Sequence, residues 1–329
     1  MPNDSTFFAL LVEAQYAVQA IHLHSLSQYA FDWRGIYRVE QSQNVNWLLR
    51  ACRQEGAEIW LLKPAATLLF LEQQSYPAPR LIRTLSDELV GTAHGWWTLM
   101  VTFIEGIPVD YSLESLRLLA STVGRLHTLR LELAASTTPS IQASWKHPQQ
   151  AVPACLQQLA QVREHVPPEL QTFYDQVWAT LERFQRATDL PETIIHGDCW
   201  PGNAVQTADG EIVLIDWDGS GFGPPILDLG NLLLTCHFNQ PHYPHISPDA
   251  SLISAIVEGY CQQRHLTSSE LEILVDAVRF DSAFHFARNL QSFLQGNWHD
   301  HVGLQKIQIR YAAAEEVALM ARRYLEQLL

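Results

Sequence analysis

Apolar positions recur at mixed helical spacing over residues 7–29 (Leu10, Leu11, Ala14, Ala17, Val18, Ile21) and predict a leading helix. The pattern then turns strand-like. Ile36-Tyr37-Arg38-Val39 and Val45-Asn46-Trp47-Leu48-Leu49-Arg50 predict two strands joined by Gln41-Ser42-Gln43-Asn44, with further strands at 80–84 and 96–103. Between them a helix is predicted from Pro64 to Gln74, with Pro64 at its first position and Tyr76-Pro77-Ala78-Pro79 as the terminating loop. Gly106-Ile107-Pro108 marks a boundary. Beyond it the period is helical: Ser112 caps a helix with the stripe Leu116, Leu119, Val123, Leu126, Leu129. Residues 135–153 are polar and proline-bearing. Helices are predicted at 154–165, 168–187, 229–236, 249–264, 268–295 and 304–328. No repeat or low-complexity segment is visible. The chain is therefore α+β, with a strand-rich part at 1–104 and a mostly helical part at 105–329.

Composition narrows the partners. The chain has 329 residues, enough for a large core in two lobes. Its 21 basic and 35 acidic residues give a net charge of −14, which argues against nucleic acid or an anionic membrane as partner and permits a cationic ligand. Five scattered cysteines form no C-x-x-C pair, so reduced thiols in the cytoplasm are expected, without a disulfide frame or zinc site. No signal peptide is visible after Met1-Pro2-Asn3-Asp4, and no apolar run is long enough to span a bilayer.

The chemistry concentrates in Ile195-His196-Gly197-Asp198-Cys199-Trp200-Pro201-Gly202-Asn203 and Ile212-Val213-Leu214-Ile215-Asp216-Trp217-Asp218. Asp209-Gly210 lies between them and favours a two-residue hairpin turn. With that turn, cross-strand partners have numbers summing to 419, so Asn203 faces Asp216. An amide oxygen and a carboxylate together suit Mg²⁺. Asp198, in the loop before the hairpin, suits the base that orients a hydroxyl and takes its proton. His196 suits a loop organiser, and a structural or a chemical histidine fits there equally. The set implies phosphoryl transfer, where catalysis is mostly positioning and charge neutralisation. An ordinary hairpin with solvated acids is the plain alternative.

His196-Gly-Asp198-x-x-x-x-Asn203 followed by Ile215-Asp216-x-Asp218 resembles the aminoglycoside phosphotransferase family, within the wider protein-kinase-like superfamily. Gly223-Pro224-Pro225-Ile226-Leu227-Asp228-Leu229, Thr102-Phe103-Ile104-Glu105-Gly106 and Leu126-His127 are similar to that family's later loop and helix, inter-lobe hinge and leucine–histidine pair. The resemblance covers about residues 30–235 well and the last ninety weakly. It implies a bilobal protein-kinase-like fold, with a small antiparallel-sheet N-lobe and a larger helical C-lobe. It also implies ATP or GTP with Mg²⁺ as cofactors, nucleotide contacts at Arg50, Phe103 and Glu105, and metal ligands at Asn203 and Asp216. Asp228 would brace the catalytic loop. A small hydroxyl-bearing acceptor follows, because the stretch from Asp216 to Asp228 is too short for a peptide platform, and the acidic balance slightly favours a cationic one.

The first half departs from that pattern. Relatives carry a lysine where this chain has Arg50, which keeps the charge and adds a planar fork; a surface arginine is the bland alternative. Relatives also carry a helix glutamate to pair with it. Here the only glutamate of the expected helix is Glu72, at its far end, and Glu55 or Glu58 would have to substitute. Trp33-Arg34-Gly35 supplies a single glycine for a phosphate-covering loop. Asp218, Trp200 and Trp217 are further candidates for phosphate or acceptor contacts, and Trp298 a weaker one; core packing fits each tryptophan as well. Asp281, His285, Arg288 and Asn289 share one helix face that suits an acceptor wall or a solvated surface. A nucleotide-binding pseudokinase or regulator, and a metal-dependent hydrolase using His196, Asp198 and Asp216, remain as other function classes.

Overall fold

A computed structural model describes residues 5–16, 18, 22–26, 34–41, 46–130, 141–238, 247–296 and 301–328. Trp33, most of the 41–44 connection and Trp298 lie outside these residues. The chain opens with α1 (Ser5–Gln15), β1 (His22–Ser25), β2 (Arg34–Glu40) and β3 (Asn46–Cys52). It continues with α2 (Ala57–Gln73), β4 (Leu81–Ile82), β5 (Gly91–Ala93) and β6 (Trp96–Thr102). Then come β7 (Ile107–Pro108), α3 (Leu113–Leu126), α4 (Pro148–Val162), α5 (Pro168–Arg186) and β8 (Thr193–Ile195). The remainder is β9 (Ala204–Gln206), β10 (Ile212–Leu214), β11 (Gly221–Gly223), α6 (Ile226–Phe238), α7 (Ala250–Cys261), α8 (Ser268–Glu272), α9 (Leu274–Leu294) and α10 (His301–Leu328).

The chain divides into two compact units: Met1–Ile107 with Glu132–Gln142 and Thr207–Asp218, and Pro108–Leu131 with Ala143–Gln206 and Gly219–Leu329. The first holds an antiparallel sheet in the order β1-β2-β3-β6-β4, with β5 also paired to β6. Burial alternates along β2 and β3, so Tyr37, Val39, Trp47 and Leu49 face the core under α1, where Phe8 packs 4.7 Å from Tyr37. The intervening positions, including Arg34, Arg38 and Arg50, fall on the other face, with Arg50 registered to Ile36 and Leu99. The second unit is mostly helical. Its long helix α9 buries Phe280, Phe284 and Phe286 while packing beside α4, α5, α6 and α10.

Three local expectations change. The leading helix stops at Gln15, and β1 occupies part of the span read as helical. The helix expected from Pro64 begins at Ala57, with Pro64 buried inside it. Proline there removes the bond that Trp60's carbonyl would accept; the first turn lies toward solvent, with Trp60 57% exposed, and Leu61, Pro64, Ala65 and Leu68 hold the helix by burial. The third change is the Asp209-Gly210 turn. Gly210 N–H bonds the Thr207 carbonyl at 2.9 Å, and Thr207 N–H bonds the Glu211 carbonyl at 2.9 Å. The loop is thus three residues, Ala208-Asp209-Gly210, with Gly210 in the left-handed region at φ 85°. Partners counted from that pair sum to 418, one off the expected ladder. Asn203 sits in a 3₁₀ turn (Pro201–Asn203) before β9, and Asp216 lies beyond β10.

Candidate active site

In the first unit, Arg50 gathers the carboxylates of the second motif. Its Nη2 donates to Asp216 Oδ1 at 2.5 Å, and its Nη1 contacts Asp218 Oδ1. Arg34 Nη2 holds the other Asp218 oxygen at 3.0 Å. The Arg50 side chain is only 12% exposed, against 45% for Asp216, so this guanidinium is set into the unit while Asp216 is half-exposed. Asp216 has φ 63°, a conformation non-glycine residues adopt sparingly and that turns its carboxylate out of the strand direction. The acidic partners of Arg50 come from the Asp216-x-Asp218 motif, whereas Glu55 and Glu58 are exposed.

The other first-unit candidates are anchored too. Glu105 Oε1 accepts from Arg38 Nη2 at 2.9 Å and from Asn46 Nδ2 at 2.6 Å, and the Arg38 guanidinium lies 4.6 Å from the Phe103 ring. Trp217 is buried, donates through Nε1 to the Leu214 carbonyl at 3.0 Å and meets Tyr76 edge-on at 6.3 Å. Trp217 is a core pillar.

In the second unit the catalytic-motif loop hangs from one buried carboxylate. Asp228, at the start of α6, accepts the His196 amide at 2.7 Å on Oδ2 and the Gly197 amide at 2.8 Å on Oδ1. His127, at the end of α3, approaches Oδ2 at 3.1 Å and meets Tyr260 Oη at 2.8 Å with its other nitrogen. Burial alone raises a carboxyl pKa; the His127 hydrogen bond and charge, with the loop amide, outweigh it and hold Asp228 below its usual range. Burial pushes His127 down, against the pull of Asp228, so its ring is neutral near pH 7. Gly197 has φ 80°, and a Cβ there would stand 2.3 Å from the Gly219 carbonyl oxygen, so this turn admits only glycine.

That clamp presents Asp198. The Asn203 amide nitrogen donates to the Asp198 carbonyl at 2.9 Å and to its Oδ2 at 2.7 Å, fixing both backbone and side chain. The Asp198 amide reaches buried His196 Nδ1 at 3.3 Å, which makes His196 a positioning residue of the loop.

Asp198 opens on a cavity of about 390 Å³ within the same unit. Trp200, Asn231, Asp281, His285 and Asn289 also line it, so three of the four α9 positions expected to share a face do so. Arg288 is not in the lining; its guanidinium lies 5.5 Å from the Phe284 ring. Sequence reasoning missed Lys146, Ser282, Lys306 and Arg310. Lys146 is buried and donates to Asp281 Oδ1 at 2.7 Å. Burial would lower its pKa, but Asp281 and Asp198 together raise it, so it stays charged. Its segment, Ser144-Trp145-Lys146-His147, had only a lone lysine between aromatics as a signal. In α10, Lys306, Ile307 and Arg310 follow helical spacing, but only the packing against α9 and α6 shows which way that face turns.

The family model of the phosphotransferase enzyme family (APH) matches residues 25–268, well over half of the chain. The chain belongs to this family. It is an enzyme of the small-molecule kinase class, a phosphotransferase acting on hydroxyl groups. Among curated proteins none matches it in sequence. Among solved structures it is similar to an amicoumacin kinase in complex with AMP-PNP, Ca²⁺ and Ami, with TM-score 0.71, 14% identity, and 96% of this chain and 94% of that one covered. It is also similar to a spectinomycin phosphotransferase in complex with ADP and spectinomycin, with TM-score 0.63, 14% identity, and 98% and 100% coverage. A putative aminoglycoside phosphotransferase from Ralstonia eutropha JMP134 has TM-score 0.66 at 15% identity, with 98% of each chain covered. At such identities the likeness is one of fold, and it bears out the kinase-like α+β architecture. No helix among the described residues is long and apolar enough to cross a membrane.

Proposed function

We propose that this phosphotransferase moves the γ-phosphoryl group of ATP or GTP, with Mg²⁺, to a hydroxyl of a small molecule. The observation that carries it is the fixed carboxylate of Asp198: Asn203 holds it, and Asp228 clamps the two amides before it. A base aimed by its own loop is what a hydroxyl nucleophile requires. The acceptor oxygen forms its bond to the γ-phosphorus as the β–γ bridging bond breaks, and the hydroxyl proton passes to Asp198 Oδ. The nucleoside diphosphate leaves with the bridging oxygen.

Mg²⁺ supplies charge neutralisation for the phosphates when bound. The donor set fits such a hard ion. The Asn203 nitrogen is spent on Asp198, which leaves its Oδ1 as the ligand atom, and Asp216 offers a carboxylate that is 45% exposed. We assign the metal to these two residues and the phosphates to Arg50, with Asp218 holding Arg50 in place. Phe103 and Glu105 are assigned to the hinge that receives the nucleotide. Residues 1–104 cover the nucleotide in this reading and 105–329 carry catalysis and the acceptor. The cytoplasm, with its nucleotide and Mg²⁺, is the compartment it implies, and neither nucleic acid nor membrane is a partner. A binding-only role is the second reading, favoured by the substitution of Arg50 and its motif acids for the usual lysine–glutamate pair. The hydrolase reading finds no support: no group of three His, Cys, Asp or Glu side chains suited to a metal occurs among the described residues.

The test is transfer of labelled γ-phosphate from ATP or GTP with Mg²⁺ to a panel of small hydroxyl compounds and to generic protein acceptors. Asp198→Asn is expected to keep nucleotide affinity and to cut kcat by about two orders of magnitude or more, since the lost interaction belongs to the transition state. Asp216→Asn is expected to abolish Mg²⁺-dependent turnover with the fold intact. Nucleotide binding without any turnover would favour the second reading, and labelling confined to protein serine would overturn the small-molecule assignment.

A further inference from the structure

The cavity beside Asp198 is wrongly charged for a cationic acceptor, although the whole chain is acidic. Besides Asp198 itself, its only lining carboxylate among the described residues is Asp281. That carboxylate is already matched. Lys146 Nζ lies 2.7 Å from Oδ1, His285 Nε2 lies 3.4 Å from the same oxygen, and Arg310 is near enough to help hold it ionised. An incoming ammonium group would find no carboxylate left to pair with except the base it must not block.

The unmet hydrogen-bonding capacity in the lining points the other way. Ser282 is 2% exposed, and its Oγ is buried with no hydrogen-bond partner. Arg310 spends Nη2 on Thr235 Oγ1 at 3.2 Å, while its Nε is buried and without a partner. Both residues line this cavity, Ser282 from α9 and Arg310 from α10, and Lys306 lines it one turn before Arg310. A buried donor without an acceptor is costly, and a guanidinium and a hydroxyl that line one cavity offer an oxyanion two kinds of donor.

We propose that the acceptor carries an oxyanion besides its reacting hydroxyl, and that Arg310 and Ser282 bind that oxyanion in the cavity that holds Asp198. The proposal rests on the phosphotransferase reading for the word acceptor, but the anion site itself does not. A carboxylate and a phosphate ester share the needed chemistry. Lys146 has a defined part in this arrangement: by neutralising Asp281 it removes the repulsion an anion would otherwise meet.

Two measurements test it. The first compares hydroxy acids of three to ten carbons, and sugar phosphates, with the matching carboxamides, unphosphorylated sugars and amino alcohols as acceptors under Mg²⁺ and ATP. The anionic member of each set is expected to lead in kcat/KM by about tenfold or more, the worth of one charge-assisted contact. Arg310→Gln is expected to raise KM for the anionic acceptor by about tenfold with a smaller effect on kcat, Arg310→Lys to recover part of the loss, and Ser282→Ala to give a lesser rise. Preference for hydroxy acids over sugar phosphates, or the reverse, names the oxyanion. The second measurement needs no turnover: thermal stabilisation by inorganic sulfate, with ADP and Mg²⁺ saturating, in the native protein and in Arg310→Gln. Stabilisation lost in Arg310→Gln, with no acceptor phosphorylated, would keep the anion site and overturn the kinase reading. Turnover led by amines or neutral alcohols, or sulfate stabilisation indifferent to Arg310, would overturn the anion site and leave the kinase reading standing.

Discussion

Arg50 shows how far one substitution can move an ion pair. A lysine on this strand would reach one acid as a point charge; the guanidinium fork engages Asp216 and Asp218 at once, and Arg34 secures Asp218 from the neighbouring strand. Asp218 lies between Arg50 and Arg34, and in the proposed function it sets the Arg50 geometry. Asp218→Asn removes one charge from a site where Arg50 is 12% and Asp218 27% exposed. We expect KM for ATP to rise by about 5- to 30-fold, the equivalent of about 1–2 kcal/mol for a charged hydrogen bond, with kcat changed less. Asp218→Glu should restore part of the affinity. An unaltered KM for ATP in Asp218→Asn, with normal folding, would take the positioning role from this residue.

Elements were legible where a period and a cap agreed. Ser112 accepts the Ser115 amide as expected, and Leu116, Leu119, Val123 and Leu126 are all buried; only Leu129 falls past the helix end. The strands that carry Arg50 and the helices of the second unit were also visible. Two elements misled for a shared reason: one residue type was given the weight of a whole segment. Pro64 by itself signals a helix start, yet the burial of Leu61, Ala65 and Leu68 carries the helix through it. Asp209-Gly210 by itself signals a two-residue turn, yet its glycine closes a three-residue loop and shifts the ladder by one. The cavity beside Asp198 was half legible, because α9 announces its polar face while Lys146, bound to Asp281, and Arg310 come from segments distant in sequence. Glycine offers a test at this scale. Gly197 and Gly210 share left-handed φ values of 80° and 85°, but a Cβ at Gly210 meets nothing within 4 Å, whereas one at Gly197 strikes backbone. Gly210→Ala should cost about 1–2 kcal/mol from backbone strain alone. Gly197→Ala should cost clearly more, by about 1–3 kcal/mol for the forced overlap. Equal losses in urea unfolding would mean that the Gly197 turn is not crowded as described.

Across the whole molecule, the sign of the net charge and the charges that hold the second unit work against each other. At pH 7 the chain carries −14, a self-repulsion that relaxes as acid is added. The buried groups respond oppositely. His127 has its pKa lowered from 6.5, so the unfolded chain takes up that proton first, and stability present above pH 6.5 drains away as pH falls. Asp228 is held below 3.8 and Asp281 well below it, so their contributions persist above that value and are lost as pH falls through the folded-state pKa. Between pH 6.5 and about 5 relief of repulsion offsets the His127 loss and the melting temperature should fall only slightly; below about pH 4, where all three buried groups favour the unfolded chain, it should fall steeply. Scanning calorimetry from pH 8 to 3.5 checks this, and Asp228→Asn should flatten the acid limb while lowering the plateau by about 2–4 kcal/mol of stability, since the amide meets two backbone donors with one acceptor. A melting temperature that holds level or climbs all the way to pH 3.5, or an Asp228→Asn protein with an unchanged plateau, would mean that the buried His127–Asp228 clamp is not what holds the loop of Asp198 in place.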